Sequence, residues 1–282
     1  MFDTHAHVNF NAFKDDADEV MKRALDKNVS VINVGSQLST SRRAVLFAEK
    51  YPNAYAVVGM HPDHLHDKRI SEHVDEKEDV NYETRVEAFD RSAYYSLAKG
   101  NKKVVAIGEC GLDYYRLTGE DVEEVKEKQR ELLREQIDLA NELALPMSIH
   151  CRDAYDDLIA ELKTRELKRR GVIHCFIGNA EQAEQFLQMG FYLGFTGIIT
   201  FKNVQKDLLE IIRTMPGDKI LSETDCPYLA PEPYRGKRNE PAYVEFIIKK
   251  IAGLRGWSFE EAQRITDENA KRLFGQSSRD LV

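Results

Sequence analysis

The sequence predicts an α/β protein, a single (β/α)8 TIM-type barrel with an additional C-terminal helix. Three observations predict it. Short apolar strands alternate with amphipathic helices along the chain, the pattern of a parallel sheet wrapped in helices. No linker, repeat or low-complexity stretch divides the 282 residues, a length that one barrel of about 250 residues accommodates. Polar residues able to bind metal recur where strands end, the face on which such barrels carry chemistry.

Each element follows from local pattern. A first strand carries Asp3-Thr4-His5-Ala6-His7, and Asp15 to Lys27 places Ala17, Val20, Met21, Ala24 and Leu25 at helical spacing. Ser30 to Gly35 reads as a buried strand, about Thr40 to Tyr51 as a helix stopped by Pro52, and Tyr55 to Met60 as a strand running into His61. Asp63 to Asp90 is charge-rich with no clear strand, and its excess near 69–82 is expected to be a surface insertion. Arg91 to Lys99 is helical, and Lys103 to Gly108 is a strand ending at Glu109. About Asp121 to Leu143 aligns Val125, Leu132, Leu133, Ile137 and Ala140 on one stripe, ahead of a strand over Pro146 to His150. Ala154 to Arg170 reads as helix, Gly171 to Phe176 as strand, and Asn179 with Gln182 as the capping box of a helix that stops at Gly190. Phe191 to Gly197 is a strand, Val204 to Thr214 a helix, and Lys219 to Asp225 the eighth strand. After a proline-rich loop, helices cover about Pro241 to Leu254 and Ser258 to Phe274, so the domain is expected over 1–275 with a frayed tail at 276–282.

Composition bounds the function. No apolar run approaches the roughly 18 residues that span a bilayer, no basic and apolar leader precedes residue 3, and four cysteines lack a framework spacing. A cytoplasmic protein with reduced thiols, no membrane association and no obligate protein partner is expected. The net charge of −8 offers nucleic acid no global attraction, although bound divalent cations would offset clustered carboxylates locally.

The ligand pattern is the informative part. Alternation along a strand puts His5 and His7 on one face, with Asp3 behind them able to orient an imidazole. Taken alone, each strand-end histidine reads as a hydrogen-bonded mouth residue. Yet His5, His7, Glu109, His150, His174 and Asp225 all fall at strand ends, and four imidazoles with two carboxylates at one mouth suit divalent metal. Cys110, Cys151, Cys175 and Cys226 each follow one of these donors, so continued strands would turn the thiols to the opposite face. Glu223 shares the parity of Asp225 and is expected inside the barrel, accepting a hydrogen bond from a ligand imidazole.

The motifs Asp3-Thr-His-Ala-His7, Gly59-Met-His-Pro62, Gly108-Glu-Cys-Gly-Leu-Asp-Tyr-Tyr-Arg116, Ile149-His-Cys-Arg-Asp153, Ile173-His-Cys-Phe176, Ser222-Glu-Thr-Asp-Cys-Pro-Tyr228 and Arg235-Gly-Lys-Arg-Asn-Glu-Pro241 occur in that order. In them the chain resembles the TatD family of metal-dependent deoxyribonucleases, within the amidohydrolase-like superfamily. The resemblance implies two divalent ions (Mg, Mn or Zn) bridged by Glu109, with His5, His7 and Asp225 on one and His150 and His174 on the other. It implies a DNA phosphodiesterase, an exonuclease trimming single-stranded or 3′ ends. The acidic crossover after His61 is longer than the family's pattern.

Two ions about 3.5 to 4 Å apart can activate a water for in-line displacement at a phosphodiester. Glu109 and Asp225 are then the catalytic carboxylates, Asp225 taking the nucleophile's proton. His61, Arg116, Arg152, Lys237 and Arg238 are candidates for phosphate oxygens, and Tyr114 or Tyr115 for base stacking. Each has a plainer reading as a salt bridge or rim residue. The same centre also suits another ester or amide, including a D-aminoacyl-tRNA. A non-catalytic protein with a structural metal is the remaining reading, against which a bridging-type Glu109 speaks.

Overall fold

In the computed structural model, residues 1–65, 69–75, 78–83, 86–115, 117–118 and 121–275 are described, with Glu78 the described side chain of 69–83. The chain begins with β1 (Phe2–Ala6), α1 (Ala17–Asp26), β2 (Ser30–Val34), α2 (Leu38–Lys50) and β3 (Ala54–Val58). A separate ribbon of β4 (Arg69–Asp75) and β5 (Glu78–Glu83) precedes α3 (Arg91–Ala98). The alternation resumes with β6 (Val104–Asp113), α4 (Val122–Leu143), β7 (Met147–Arg152), α5 (Tyr155–Thr164), β8 (Val172–Ile173), α6 (Ala180–Gln188), β9 (Tyr192–Phe195), α7 (Lys206–Thr214) and β10 (Ile220–Ser222). Two helices, α8 (Val244–Arg255) and α9 (Phe259–Phe274), complete it.

Eight strands form one parallel sheet in the order β1-β2-β3-β6-β7-β8-β9-β10. Its ends are drawn together by a few bonds: Thr4 Oγ1 donates to Ser222 O at 3.2 Å, Asp225 N to His5 O at 2.9 Å and His7 N to Cys226 O at 2.8 Å. The result is a nearly closed (β/α)8 barrel. Inner residues of successive strands, among them Phe2, Ile32, Tyr55, Val105, Val172 and Leu221, pack with Leu273 and Phe274 of α9. The additional C-terminal helix therefore plugs one end, and the donor residues stand at the other.

Several local expectations change. The crossover after His61, read as having no clear strand, contains the antiparallel ribbon, with Ile70 opposite Tyr82 and Glu72 opposite Val80. The helix expected to Arg170 stops at Thr164, because Asn141 captures the next turn: its Nδ2 donates to Glu166 O at 2.8 Å and its Oδ1 accepts from Lys168 N at 2.8 Å. Strands six and eight are shorter than read, ending at Ile173 and Ser222, since Cys175 and Asp225 adopt left-handed backbone at φ 46° and 57°. In contrast, β6 runs past Glu109 to Asp113 with a register shift between Ile107 and Cys110. Gly111 permits this: it has φ 148°, and a Cβ there would lie 1.9 Å from His150 O.

Candidate metal centre

The six strand-end donors converge around Glu109. One carboxylate oxygen, Oε2, lies 3.5 Å from His5 Nε2 and 3.7 Å from His7 Nε2. The other, Oε1, lies 3.2 Å from both His150 Nδ1 and His174 Nε2, and 3.7 Å from His61 Nε2. Asp225 Oδ1 approaches His7 Nε2 at 3.4 Å and His5 Nε2 at 4.0 Å. His5 and His7 meet edge-on, their Nε2 atoms 3.2 Å apart, while His5 stacks on His174 with ring centroids 3.7 Å apart.

The outward nitrogen of each imidazole is held by the scaffold. His7 Nδ1 donates to Val34 O at 2.9 Å and His174 Nδ1 to Glu223 Oε1 at 3.2 Å. His150 Nε2 donates to Asp113 Oδ2 at 3.0 Å, and His5 Nδ1 lies 3.3 Å from Ser148 Oγ. A carbonyl or carboxylate only accepts, so the bonds of His7, His174 and His150 keep a proton on the outward nitrogen and leave the inward nitrogen as the one a metal would take. This is the donor chemistry that divalent metals require, with outer-shell partners attached. Groups such as His5, His7 and Glu109, or Glu109, His150 and His174, keep their donor atoms within 4.8 Å of one another.

Charge agrees with geometry. Burial alone would raise the Glu109 carboxyl, but the surrounding imidazoles, His61 and His5 foremost, hold it well below the ordinary carboxylate range. Burial likewise opposes ionisation of Asp225, and the His7 bond followed by His174 and His5 outweighs it. His61 differs: burial and then His150 lower it to about 4, so its ring is neutral at pH 7. Its Nδ1 accepts from Asp63 N at 3.1 Å, which leaves the proton on the Nε2 that faces the cluster.

The structure revises several roles read from sequence. Asp3 does not touch an imidazole; its carboxylate binds Thr224 N at 2.8 Å, Thr224 Oγ1 at 2.6 Å and His5 N at 3.3 Å, tying β1 to the loop that carries Asp225. Glu223 is fully buried and also accepts from Cys175 N at 2.6 Å. It fits because residue 194 is glycine: a Cβ there would stand 2.4 Å from its Oε2. Tyr114 is half-buried, its hydroxyl donating to Asp157 at 3.0 Å beside Arg130, whereas Tyr115 is 47% exposed with the Arg152 guanidinium 3.7 Å above its ring. Arg116 lies outside the described residues. Arg238 is engaged by Asp16 and by Ala12 O, and Arg235 is buried on Glu78 at 2.5 Å; Lys237 is exposed. The thiols follow parity in part. Cys110 and Cys151 join the layer between barrel and helices and Cys226 an adjoining core, while Cys175, past the end of β8, sits by Thr196 Oγ1 at 3.5 Å. Asp113 and Ser148 escaped the sequence reading, although Asp113 shares the parity of Glu109 and Ser148 that of His150.

The family model for TatD related DNase matches residues 2–275. The chain belongs to the TatD-related DNase family. It is 41% identical over 280 residues to the uncharacterized metal-dependent hydrolase YabD of Bacillus subtilis, covering 97% of this chain and 98% of that protein. It is 36% identical over 281 residues to the 3′-5′ ssDNA/RNA exonuclease TatD of Cronobacter sakazakii, covering 97% of each. Among solved structures, the TatD homolog YJJV from Escherichia coli superposes with a TM-score of 0.81 at 29% identity, over 98% of both chains. As a metal-dependent hydrolase of the TatD family, the chain needs a centre of convergent donors, and the cluster around Glu109 is of that kind. No helix among the described residues is long and apolar enough to cross a membrane.

Proposed function

We propose that the protein is a phosphodiesterase acting on the 3′ ends of single-stranded nucleic acid, DNA in the first place, in which His5, His7, Glu109, His150, His174 and Asp225 would hold two divalent ions (Mg, Mn or Zn). The observation that carries this reading is the division of labour on one carboxylate: Oε2 faces His5 and His7, and Oε1 faces His150 and His174. Asp225 completes the first group. Two bound cations supply a nucleophile at neutral pH and charge compensation at the phosphoryl oxygens.

The protein's own residues do the rest. Asp225 and His150 are 15% and 16% exposed and Glu109 only 7%, so the substrate meets the cluster on the Asp225 and His150 side. Asp225, ionised and open, accepts the nucleophile's proton. His61 presents an Nε2–H to a phosphoryl or leaving oxygen, and Arg152 on Tyr115 offers a guanidinium and a ring at the rim. The exonuclease names of relatives such as that of Cronobacter sakazakii support this substrate class. Four free cysteines support a cytoplasmic location.

The test is a substrate panel with Mg²⁺, Mn²⁺ or Zn²⁺: 5′-labelled single-stranded DNA and RNA, duplex DNA, and an aminoacyl-tRNA. A ladder shortening from the 3′ end is expected. Glu109→Gln should abolish it and reduce bound metal, measured by elemental analysis. Cleavage of the aminoacyl ester with intact oligonucleotides would replace the nuclease reading by the deacylase one.

A further inference from the structure

The loop after Asp225 carries an aromatic pair that the centre does not use. Tyr234 and Tyr243 stack almost parallel, with centroids 4.1 Å apart and an interplanar angle of 4°, and Phe246 meets Tyr234 edge-on at 5.2 Å. All three are only partly buried. Tyr243 directly precedes α8, and in an alternating barrel the N-terminus of such a helix lies at the end where strands leave. Asn239 secures the place: its Nδ2 donates to Thr224 O at 2.9 Å and Tyr228 O at 2.7 Å, on either side of Asp225. The loop between the two tyrosines is therefore tied to the segment that bears that carboxylate.

Basic side chains lie around it although the chain as a whole is acidic. Three nearby acids have basic partners: Glu240 binds Arg23 at 2.6 Å, Asp16 binds Arg238, and Glu245 is shared by Lys27 at 3.0 Å and Lys249. One of the two lysines on Glu245 is in excess of that carboxylate, and exposed Lys237 lies over the Tyr234 ring, its Nζ 5.7 Å from the centroid. An aromatic ring accompanied by an exposed cation matches a base and its phosphate.

We infer that Tyr234, backed by Tyr243 and flanked by Lys237, is a stacking platform for a nucleotide of the single strand several residues upstream of the one being cleaved. This rests on the nuclease reading. The ring pair pre-orders the platform, so stacking costs little side-chain entropy, and it is indifferent to base identity because every base has a π face.

The experiment compares KM and kcat on single-stranded DNA and RNA of two and of ten nucleotides, for the metal-loaded protein and its Tyr234→Ala, Tyr234→Leu and Tyr234→Phe variants. Losing one base stack raises KM for the ten-mer by about tenfold in Tyr234→Ala and Tyr234→Leu. Tyr234→Phe retains the wild-type value, and the dinucleotide KM and all kcat values do not change. Tyr234→Leu keeps apolar packing on Tyr243, so it carries the test if the alanine variant does not fold. A 2-aminopurine moved along the ten-mer should be quenched at one upstream position in wild type and not in Tyr234→Leu. Equal KM for the ten-mer in wild type and Tyr234→Leu, or equal losses on both lengths, overturns the platform. Absence of cleavage of any oligonucleotide by wild type instead overturns the nuclease reading beneath it.

Discussion

A carboxylate that never reaches the centre of the cluster, Asp113, decides which nitrogen of His150 does. Its bond at 3.0 Å to Nε2 turns Nδ1 toward Glu109. Asp113→Ala is expected to lower metal affinity about 10- to 100-fold with the fold retained, as read by competition with a chromophoric chelator. An unchanged affinity would assign Asp113 to packing alone. The same pair sets a pH dependence. Burial favours neutral His150, but the Asp113 bond and Glu109 outweigh it and hold the imidazole up at about 9. A raised folded-state value gives the metal-free protein stability that is full below about 6.5 and is lost as pH rises through about 9. Metal must displace that proton, so apparent affinity should climb with pH through neutrality toward about 9. Titrations across this range check it, and a plateau already reached at pH 7 would speak against His150 as a ligand. Glu109 and Asp225, held low, stay charged throughout that window. At this scale the sequence was informative about donors and poor about their supports. His5, His7 and Asp225 announce themselves by type and position, whereas Asp3 and Asp113 are both carboxylates near histidines, and only coordinates show that one holds backbone and the other a ring.

Helices and strands were legible where one face is apolar. The long α4 buries Leu132, Leu133, Ile137 and Ala140 as its stripe requires, and α6 opens with the reciprocal Asn179 and Gln182 bonds. Strand ends were not, because apolar composition continues through residues whose backbone has already turned: Cys175 extends the apolar run of β8 but is left-handed. The thiols consequently differ by element. Cys110 is fully buried within β6, where burial raises its thiol above the reactive range, and Cys110→Ala should cost on the order of 1 kcal/mol while bound metal is unchanged. Urea unfolding with elemental analysis separates the two quantities, and loss of an ion would make the thiol a ligand. The crossover ribbon was the largest omission. Its Glu78 accepts from Leu229 N at 2.9 Å and from Arg235, joining β5 to the loop after β10, a contact between chain segments that no local pattern encodes.

Across the whole molecule, a net charge of −8 sets the terms on which nucleic acid can be held. Of the loop cations, Arg238 is neutralised by Asp16 and Arg235 by Glu78, and Lys237 is exposed. Binding of a single strand should therefore depend weakly on salt. Each phosphate contact contributes a slope of about −0.7 in log affinity against log salt, so Lys237→Ala should flatten it by about that amount. Arg238→Ala should leave it unchanged. Fluorescence anisotropy over a salt series distinguishes the two, and equal flattening in both variants would mean that Asp16 releases Arg238 to the strand.

The closure of β1 on the loop after β10 has a temporal side. Thr4 and Ser222, bonded in the finished barrel, are 218 positions apart in the chain. During synthesis at roughly 5–20 residues per second, His5 and His7 emerge first and wait on the order of ten seconds or more for Asp225. Until then the set lacks Asp225, although Glu109, His150 and His174 have already been made. On the proposed ligation, strong metal capture would therefore wait for the last strand to reach the first.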